Sequence, residues 1–166
     1  MRKQFLYLFL VLAFVSCSDE VKFNNPTFEG QKDNVFWRAV DSKATIGAGG
    51  SLMIEAYTRN EVVTLKTTSA NSGTYFLGTG TLNSASYVLK QANGTVNFST
   101  GAGIGEGEIE IEEYDAVNGT VSGIFKFNAV NVDSNPLAGP LLNFQYGRFY
   151  KVRIIATLTT NLPTIP

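Results

Sequence analysis

Apolar and polar residues alternate along most of the chain with a period of two, which is typical of strands that cover a buried core. The stretch EIEIE at residues 108–112 alternates without a fault, and apolar residues return on one face after Gly119. Beyond the first 16 residues, no window keeps the period of a helix. The pattern predicts nine or ten short strands, and one hairpin has a predicted inward set of Ile109, Ile111, Val121, Phe125 and Phe127.

Turn signals separate the predicted strands at regular intervals. Asn93-Gly94 and Asn118-Gly119 favour tight hairpins, because both residue types accept positive φ and match the twist of the strands. The apolar residues change phase after Phe149, which predicts a β-bulge near Tyr150 or Lys151. Short strands at this spacing predict an all-β fold, a single antiparallel β-sandwich, with a closed lipocalin-like β-barrel as the alternative.

The N-terminus has the features of a secretory signal. Arg2 and Lys3 precede an apolar run at residues 5–15. This run is too short for a membrane span, which needs roughly 20 residues. The run ends at Phe14-Val15-Ser16-Cys17, which resembles a bacterial lipobox with phenylalanine where the pattern prefers leucine. The resemblance implies that Cys17 is acylated with chains such as palmitate and that the chain is cleaved before it, and several acyl chains anchor a protein stably.

The residues after the cysteine refine the expected location. Ser18, Asp19 and Glu20 resemble the acidic export signal that follows the lipidated cysteine in surface-exposed lipoproteins of the Bacteroidota. This resemblance implies a lipid anchor in the cell outer membrane with display on the surface, and the inner leaflet of that membrane is the alternative. The predicted divisions are a signal peptide at 1–16, the lipidated cysteine and a flexible tether at 17–34, the β-sandwich domain at 35–157 and a tail at 158–166.

Composition narrows the chemistry that the chain can perform. The chain has no histidine and a single cysteine, so a Ser-His-Asp triad, a His-ligated zinc and, once Cys17 is acylated, a thiolate nucleophile are excluded. Without the two basic residues of the signal, 11 basic and 14 acidic side chains remain, a formal charge of −3 that argues against nucleic-acid binding. We therefore expect no enzyme activity and no cofactor, with carboxylate-pair or lysine and tyrosine chemistry as the remaining routes to catalysis.

An acidic segment holds six of the chain's 14 acids within residues 106–115. Glu108, Glu110 and Glu112 would project from one strand face about 6.6 Å apart, and no glycine-turned loop gathers further oxygens toward them. The alternation predicts a solvated strand face, partly balanced by Lys126 across the hairpin, rather than a calcium site. A glycosidase pair converges across a cleft, so a carboxylate-based hydrolase is the least favoured hypothesis.

Aromatic residues provide the candidate ligand-binding side chains. Trp37 is predicted to lie in the core on the first strand of the domain, because aromatic residues are common in strands. Tyr57 and Tyr150 are each out of phase with the apolar residues of their strands. They are therefore the predicted ligand-binding residues, as stacking positions for sugar rings.

Four segments carry a resemblance to a known family: residues 73–75 (GTY), 108–115 (EIEIEEYD), 121–127 (VSGIFKF) and 147–149 (GRF). They are similar to the hairpin and the late glycine-x-phenylalanine strand of a family of uncharacterised Bacteroidota lipoprotein domains. The resemblance implies no catalytic residue. The sequence favours a non-catalytic binding or accessory module for a glycan or protein, with a lipocalin-like carrier of a small apolar ligand as the alternative.

Overall fold

The computed structural model describes residues 26–133 and 138–155, and within these ranges the chain forms eleven β-strands and one short 3-10 turn at Ala48–Gly50. The described residues contain no α-helix, which confirms the all-β prediction. The strands are β1 (Thr27–Lys32), β2 (Val35–Arg38), β3 (Asp41–Ile46), β4 (Leu52–Tyr57), β5 (Glu61–Thr67), β6 (Gly73–Leu77), β7 (Ser84–Gln91), β8 (Gly94–Ser99), β9 (Glu106–Asp115), β10 (Thr120–Asn131) and β11 (Leu141–Arg153).

All named strand pairs are antiparallel, and β10 is the strand at which the sheet folds over. Its residues 120–128 pair with β9, whereas residues 130–131 pair with β8. The sheet therefore has a six-strand run β6-β9-β10-β11-β1-β2 and a five-strand run β8-β7-β5-β4-β3. A parallel bridge between Ala44 and Ile154 also joins β3 to the chain just after β11. The result is a curled half-barrel, consistent with either a sandwich or a barrel-like description.

The core lies between the two runs and is dominated by aromatic rings. Phe125 is central, because its ring centroid lies 4.8 Å from that of Phe28, 5.3 Å from Phe144 and 6.4 Å from Phe149. Trp37 packs edge-on against Phe28 and is buried as predicted. The predicted inward set of the β9–β10 hairpin is confirmed in full, with every member no more than 3% exposed.

Two turns lie where the sequence predicts them, and a third turn lies in a segment that the sequence assigns to the tether. The β7–β8 hairpin closes at the predicted place, with Ala92 and Asn93 in the turn and Gly94 paired with Gln91, and Asn118-Gly119 lies in the turn between β9 and β10. A further tight turn joins β1 to β2 through Asp33 and Asn34, which both have positive φ, at 49° and 64°. Residues 27–32 therefore belong to the sheet rather than to the tether predicted at 17–34, and Phe28 on β1 is part of the core.

Candidate functional site

A groove runs over the face of β9, β10 and β11 that points away from the core. Its widest part encloses 490 Å³, and a neighbouring part of 410 Å³ shares Glu108, Lys126 and Gln145 with it. A third part of 480 Å³ shares Glu106 and Asn128 with the second, so the three are continuous. We call this feature the outer groove. Its widest part is lined by Glu108, Ile124, Phe125, Lys126, Gln145, Tyr146, Gly147 and Arg148.

A β-bulge in β11 shapes the widest part of the outer groove. Phe125 pairs with Gly147 and Phe127 pairs with Phe144, so Gln145 and Tyr146 both lie opposite a single residue of β10. A bulge of this kind places an extra residue on one strand and redirects its side chain. Two consecutive residues of β11 therefore line the groove instead of one.

Tyr146 occupies an unusual backbone conformation at this bulge. Its φ is 52° and the residue is 81% exposed. This φ lies in the left-handed region, which bulky residues rarely adopt. Gly147 is needed beside it, because a Cβ there would lie 2.5 Å from the ring of Phe125. Backbone strain of about 1–3 kcal/mol is concentrated at functional sites in proteins, which makes this exposed ring the first candidate for ligand contact.

Some polar side chains of the groove form ion pairs or hydrogen bonds within the protein, and others do not. The Glu108 carboxylate lies 2.9 Å from the Lys126 ammonium across the β9–β10 pair. Among the described residues, the Arg148 guanidinium has no ion pair, and neither Gln145 nor Tyr146 has a side-chain hydrogen bond. These unpaired donors surround the exposed tyrosine, so this part of the groove can form hydrogen bonds to a ligand without breaking existing ones.

At the other end of the outer groove, the polar side chains already form hydrogen bonds with one another. The Asn128 amide donates to Glu106 at 2.9 Å, and the Asn143 amide donates to the side-chain oxygen of Asn128 at 2.6 Å. The backbone N–H of Asn143 in turn donates to Asp33 at 2.9 Å. This hydrogen-bonded row runs from β9 to the β1–β2 turn and offers few free groups, so the Tyr146 end is the candidate site.

The two tyrosines proposed from the sequence lie apart from each other and outside the widest part of the groove. Tyr150 is half-buried on β11, where the Arg148 guanidinium carbon lies 6.0 Å and the Lys151 ammonium 5.4 Å from its ring centroid. Tyr57 ends β4 in the other run, with Lys43 over its ring at 5.3 Å, and burial raises the pKa of its phenol. Their role in ligand binding stays a prediction. Cys17, Ser18, Asp19 and Glu20 lie outside the described residues.

Sequence reasoning missed Tyr146, although a signal for it exists. Leu142, Phe144 and Tyr146 share one phase, and simple alternation would turn all three toward the core. The inward residues Phe144 and Phe149 are, however, five positions apart, an odd spacing that requires one extra residue between them. The predicted bulge near Tyr150 or Lys151 is confirmed, with Lys151 at a φ of 48°.

A second polar cluster connects the two runs of the sheet at Glu61 on β5. One carboxylate oxygen accepts hydrogen bonds from Lys32 and, at 2.5 Å, from the Tyr87 hydroxyl. The other accepts from the Trp37 indole at 2.7 Å and from Thr58 at 3.0 Å. Both oxygens are fully engaged by the protein itself, so we assign this cluster to stability rather than to ligand binding.

Burial by itself would raise the pKa of Glu61, which is ordinarily 4.5. The hydrogen bonds from Lys32, Tyr87 and Trp37 outweigh burial and lower that pKa to about 2. Burial, followed by the hydrogen bond to Glu61, raises the pKa of the Tyr87 phenol above its ordinary value. Glu61 is therefore held ionised and Tyr87 neutral, which is the protonation state that the hydrogen bonds require.

In the part of the chain that the structure describes, no group of three or more acidic or cysteine side chains is arranged to hold a metal ion. None of the helical segments in residues 26–133 and 138–155 is both long and apolar enough to cross a membrane.

The fold and the groove define a small all-β domain with a solvent-exposed groove on its six-strand run. The chain belongs to the family described as domain of unknown function DUF6252, whose model matches residues 24–153. That match covers every described strand, from β1 to β11. Comparison with curated proteins and with solved structures gave no match.

Proposed function

We propose that this protein is a lipid-anchored, surface-exposed and non-catalytic binding module that holds a saccharide in the outer groove at Tyr146. One observation carries the proposal: a strained bulge presents an 81% exposed tyrosine beside donors that have no partner among the described residues. A tyrosine ring provides a rigid apolar face with a polar tip. A sugar ring is complementary to it, with C–H groups on its faces and hydroxyls around its edge.

The backbone of the groove favours a saccharide over an extended peptide. Peptides that bind sheets add a strand to a free edge and are held by main-chain hydrogen bonds. Here β10 pairs with β11 on one side and with β9 and β8 on the other, and β11 also pairs with β1. Neither β10 nor β11 is an edge strand of the described sheet, so a ligand there is recognised by stacking and by side-chain hydrogen bonds.

The carboxylates of the groove support a non-catalytic role. Glycoside hydrolysis uses two carboxyl groups that flank the bond to be cleaved. Among the described residues, Glu108 is the only acid that lines the widest part of the groove, and it is paired with Lys126. Glu106 lies two residues away on the same strand and accepts a hydrogen bond from Asn128, so the two acids form one wall instead of facing each other.

The alternative of a lipocalin-like carrier receives less support from the interior. Such a carrier needs an empty apolar cavity inside the barrel. Inward residues of both runs, among them Ile54, Leu65, Tyr87 and Phe127, are no more than 1% exposed. The described interior therefore leaves no accessible apolar surface where such a ligand would lie.

The anchor part of the proposal rests on Cys17 and is tested by fractionation. Changing Cys17 to serine removes the thiol that carries the lipid, so the cleaved protein is expected in the soluble fraction. An uncleaved precursor, recognised by its larger mass, is the other expected product. The Ser18→Ala variant is the matched control and should fractionate with the membranes. Membrane association of Cys17→Ser after signal removal would contradict the lipid anchor.

The binding part of the proposal is tested with Tyr146→Ala in the detergent-purified full-length lipoprotein on a printed array of neutral and acidic oligosaccharides. Loss of the stacking face is expected to weaken saccharide binding about tenfold or more, which corresponds to about 1.4 kcal/mol. The melting temperature should not fall, because the residue is 81% exposed.

Tyr114→Ala provides the matched control for the array. Tyr114 is an exposed tyrosine on β9 of the same run and does not line the widest part of the groove. Its replacement should leave every saccharide signal unchanged, and Tyr146→Phe should retain most binding because it keeps the ring. An array on which the wild type binds nothing, or on which Tyr146→Ala binds like the wild type, would refute the proposed function.

A further inference from the structure

We infer that the saccharide held by the outer groove is anionic, and that Arg148 binds its acidic group while the sugar ring lies on Tyr146. This inference rests on the proposed function and adds the ligand's charge and the residue that reads it. The acidic group is a carboxylate or a sulfate on the sugar. Each of these groups has two oxygens that can accept parallel N–H hydrogen bonds from one guanidinium.

The charges that line the widest part of the groove do not cancel. They comprise the Glu108 carboxylate, the Lys126 ammonium and the Arg148 guanidinium, of which the first two form an ion pair. One positive charge among the described residues, on Arg148, is therefore left for a ligand. A negatively charged ligand complements this part of the groove, and a neutral one would leave the guanidinium without a partner.

The acids nearest to Arg148 do not neutralise it in the structure. Glu29 is its cross-strand neighbour on β1, but the Glu29 carboxylate lies 3.8 Å from Arg38 on β2. On the other side, Ile124 of β10 is directly opposite Arg148, and Glu110 lies beyond it on β9. The apolar Ile124 side chain thus separates the guanidinium from the acidic strand and forms part of the groove floor.

Tyr150 orients Arg148 from the side away from Tyr146. The Arg148 guanidinium carbon lies 6.0 Å from the Tyr150 ring centroid. This separation is within the range of a cation–π contact. The Lys151 ammonium lies 5.4 Å from the same ring. A guanidinium supported in this way loses less conformational freedom when it binds an anion. Tyr150, a stacking candidate from the sequence, would therefore act as a positioning residue behind Arg148.

The spacing along β11 suits one sugar unit. Tyr146 and Arg148 are two residues apart on β11, and both line the widest part of the groove. A ring stacked on Tyr146 and floored by Ile124 can direct a substituent from its edge toward Arg148. The Gln145 amide beside Tyr146, which has no partner among the described residues, is available to the ring hydroxyls.

The test is an array that pairs each uronate- or sulfate-bearing oligosaccharide with its neutral counterpart, read with the detergent-purified full-length lipoprotein. The wild type is expected to bind acidic members at least about tenfold more tightly than their neutral counterparts, and added salt should reduce that preference. Comparing the uronate-bearing members with the sulfate-bearing members shows which acidic group is bound. Arg148→Gln should bring the affinity for acidic members down to that for their neutral counterparts and leave the melting temperature unchanged.

Two further variants make the result specific. Arg148→Lys keeps the charge without the fork and should retain part of the preference. Arg59→Gln removes an exposed arginine from the turn between β4 and β5, in the other run, and should change nothing. Equal binding of acidic and neutral members by the wild type, or a preference that survives Arg148→Gln, would overturn the inference. If the inference failed in this way but Tyr146→Ala still abolished saccharide binding, the proposed function would stand. A wild type that binds no member of the array would overturn both the inference and the proposed function.

Discussion

Changing Phe125 to alanine is expected to lower the free energy of unfolding by about 3–5 kcal/mol, the range for truncation of a buried aromatic residue. The Phe125 ring is 3% exposed and lies within 6.4 Å of the ring centroids of Phe28, Phe144 and Phe149. Its removal leaves a cavity among these rings, and such a cavity adds to the cost of the lost apolar contact. Urea titration of both proteins measures the difference.

Ile124→Ala is the matched control, because Ile124 is the adjacent residue of β10 and points to the opposite face. Ile124 is 39% exposed. Its truncation should therefore lower stability by well under half as much. If Phe125→Ala does not fold, Phe125→Leu gives the same comparison with a smaller cavity. Equal losses at the two positions would show that the outer groove is covered in the working protein and would contradict an open binding face.

Changing Glu61 to glutamine is expected to lower the free energy of unfolding at pH 7 by about 2–3 kcal/mol. The substitution removes the charge that pairs with Lys32 and accepts hydrogen bonds from Tyr87 and Trp37. These partners lie on β1, β2 and β7, so the variant weakens the connection between the two runs of the sheet. Glu55→Gln is the control, because Glu55 forms a more exposed pair with Lys43. Loss of that pair should matter by less than about 1 kcal/mol.

The pH dependence isolates the contribution of the Glu61 charge. The folded-state pKa of Glu61 is about 2 and its ordinary value is 4.5, so the unfolded chain takes up the proton first as the pH falls. The stabilisation is therefore complete above about pH 5 and is lost as the pH falls toward about 2. Unfolding measured across this range should show the gap between the wild type and Glu61→Gln closing. A gap that stays constant would contradict the role of the charge.

The strand pattern was predictable because it depends on local properties of the chain. Ile109 and Ile111 alternate with glutamates, and a strand places alternate side chains on opposite faces whatever its neighbours are. The place of the β7–β8 turn was predictable for a similar reason, since glycine accepts positive φ and Gly94 adopts it, at 131°. The bulge near Lys151 followed from a change of phase within one strand.

The neighbours of each strand were not predictable from the same pattern. The sequence predicts a tether where β1 lies, because Asn24-Asn25-Pro26 and the polar residues around it have little strand character. It belongs to the sheet because β11, far along the chain, provides its pairing partner, with Phe28 opposite Phe149. Contacts of such sequence separation leave no periodic signal.

The amino-acid sequence determines the class of this domain, its inward residues and the cysteine proposed as its anchor, since alternation, turn chemistry and the lipobox pattern are all local. Only the tertiary structure decided which side chains share a surface. Tyr146 joins Arg148 in the outer groove because pairing with β10 forces a bulge, and Glu61 meets Lys32 because the sheet curls over at β10. Both sites arise from strand register and sheet curvature, which depend on the packing of the whole core rather than on any one segment.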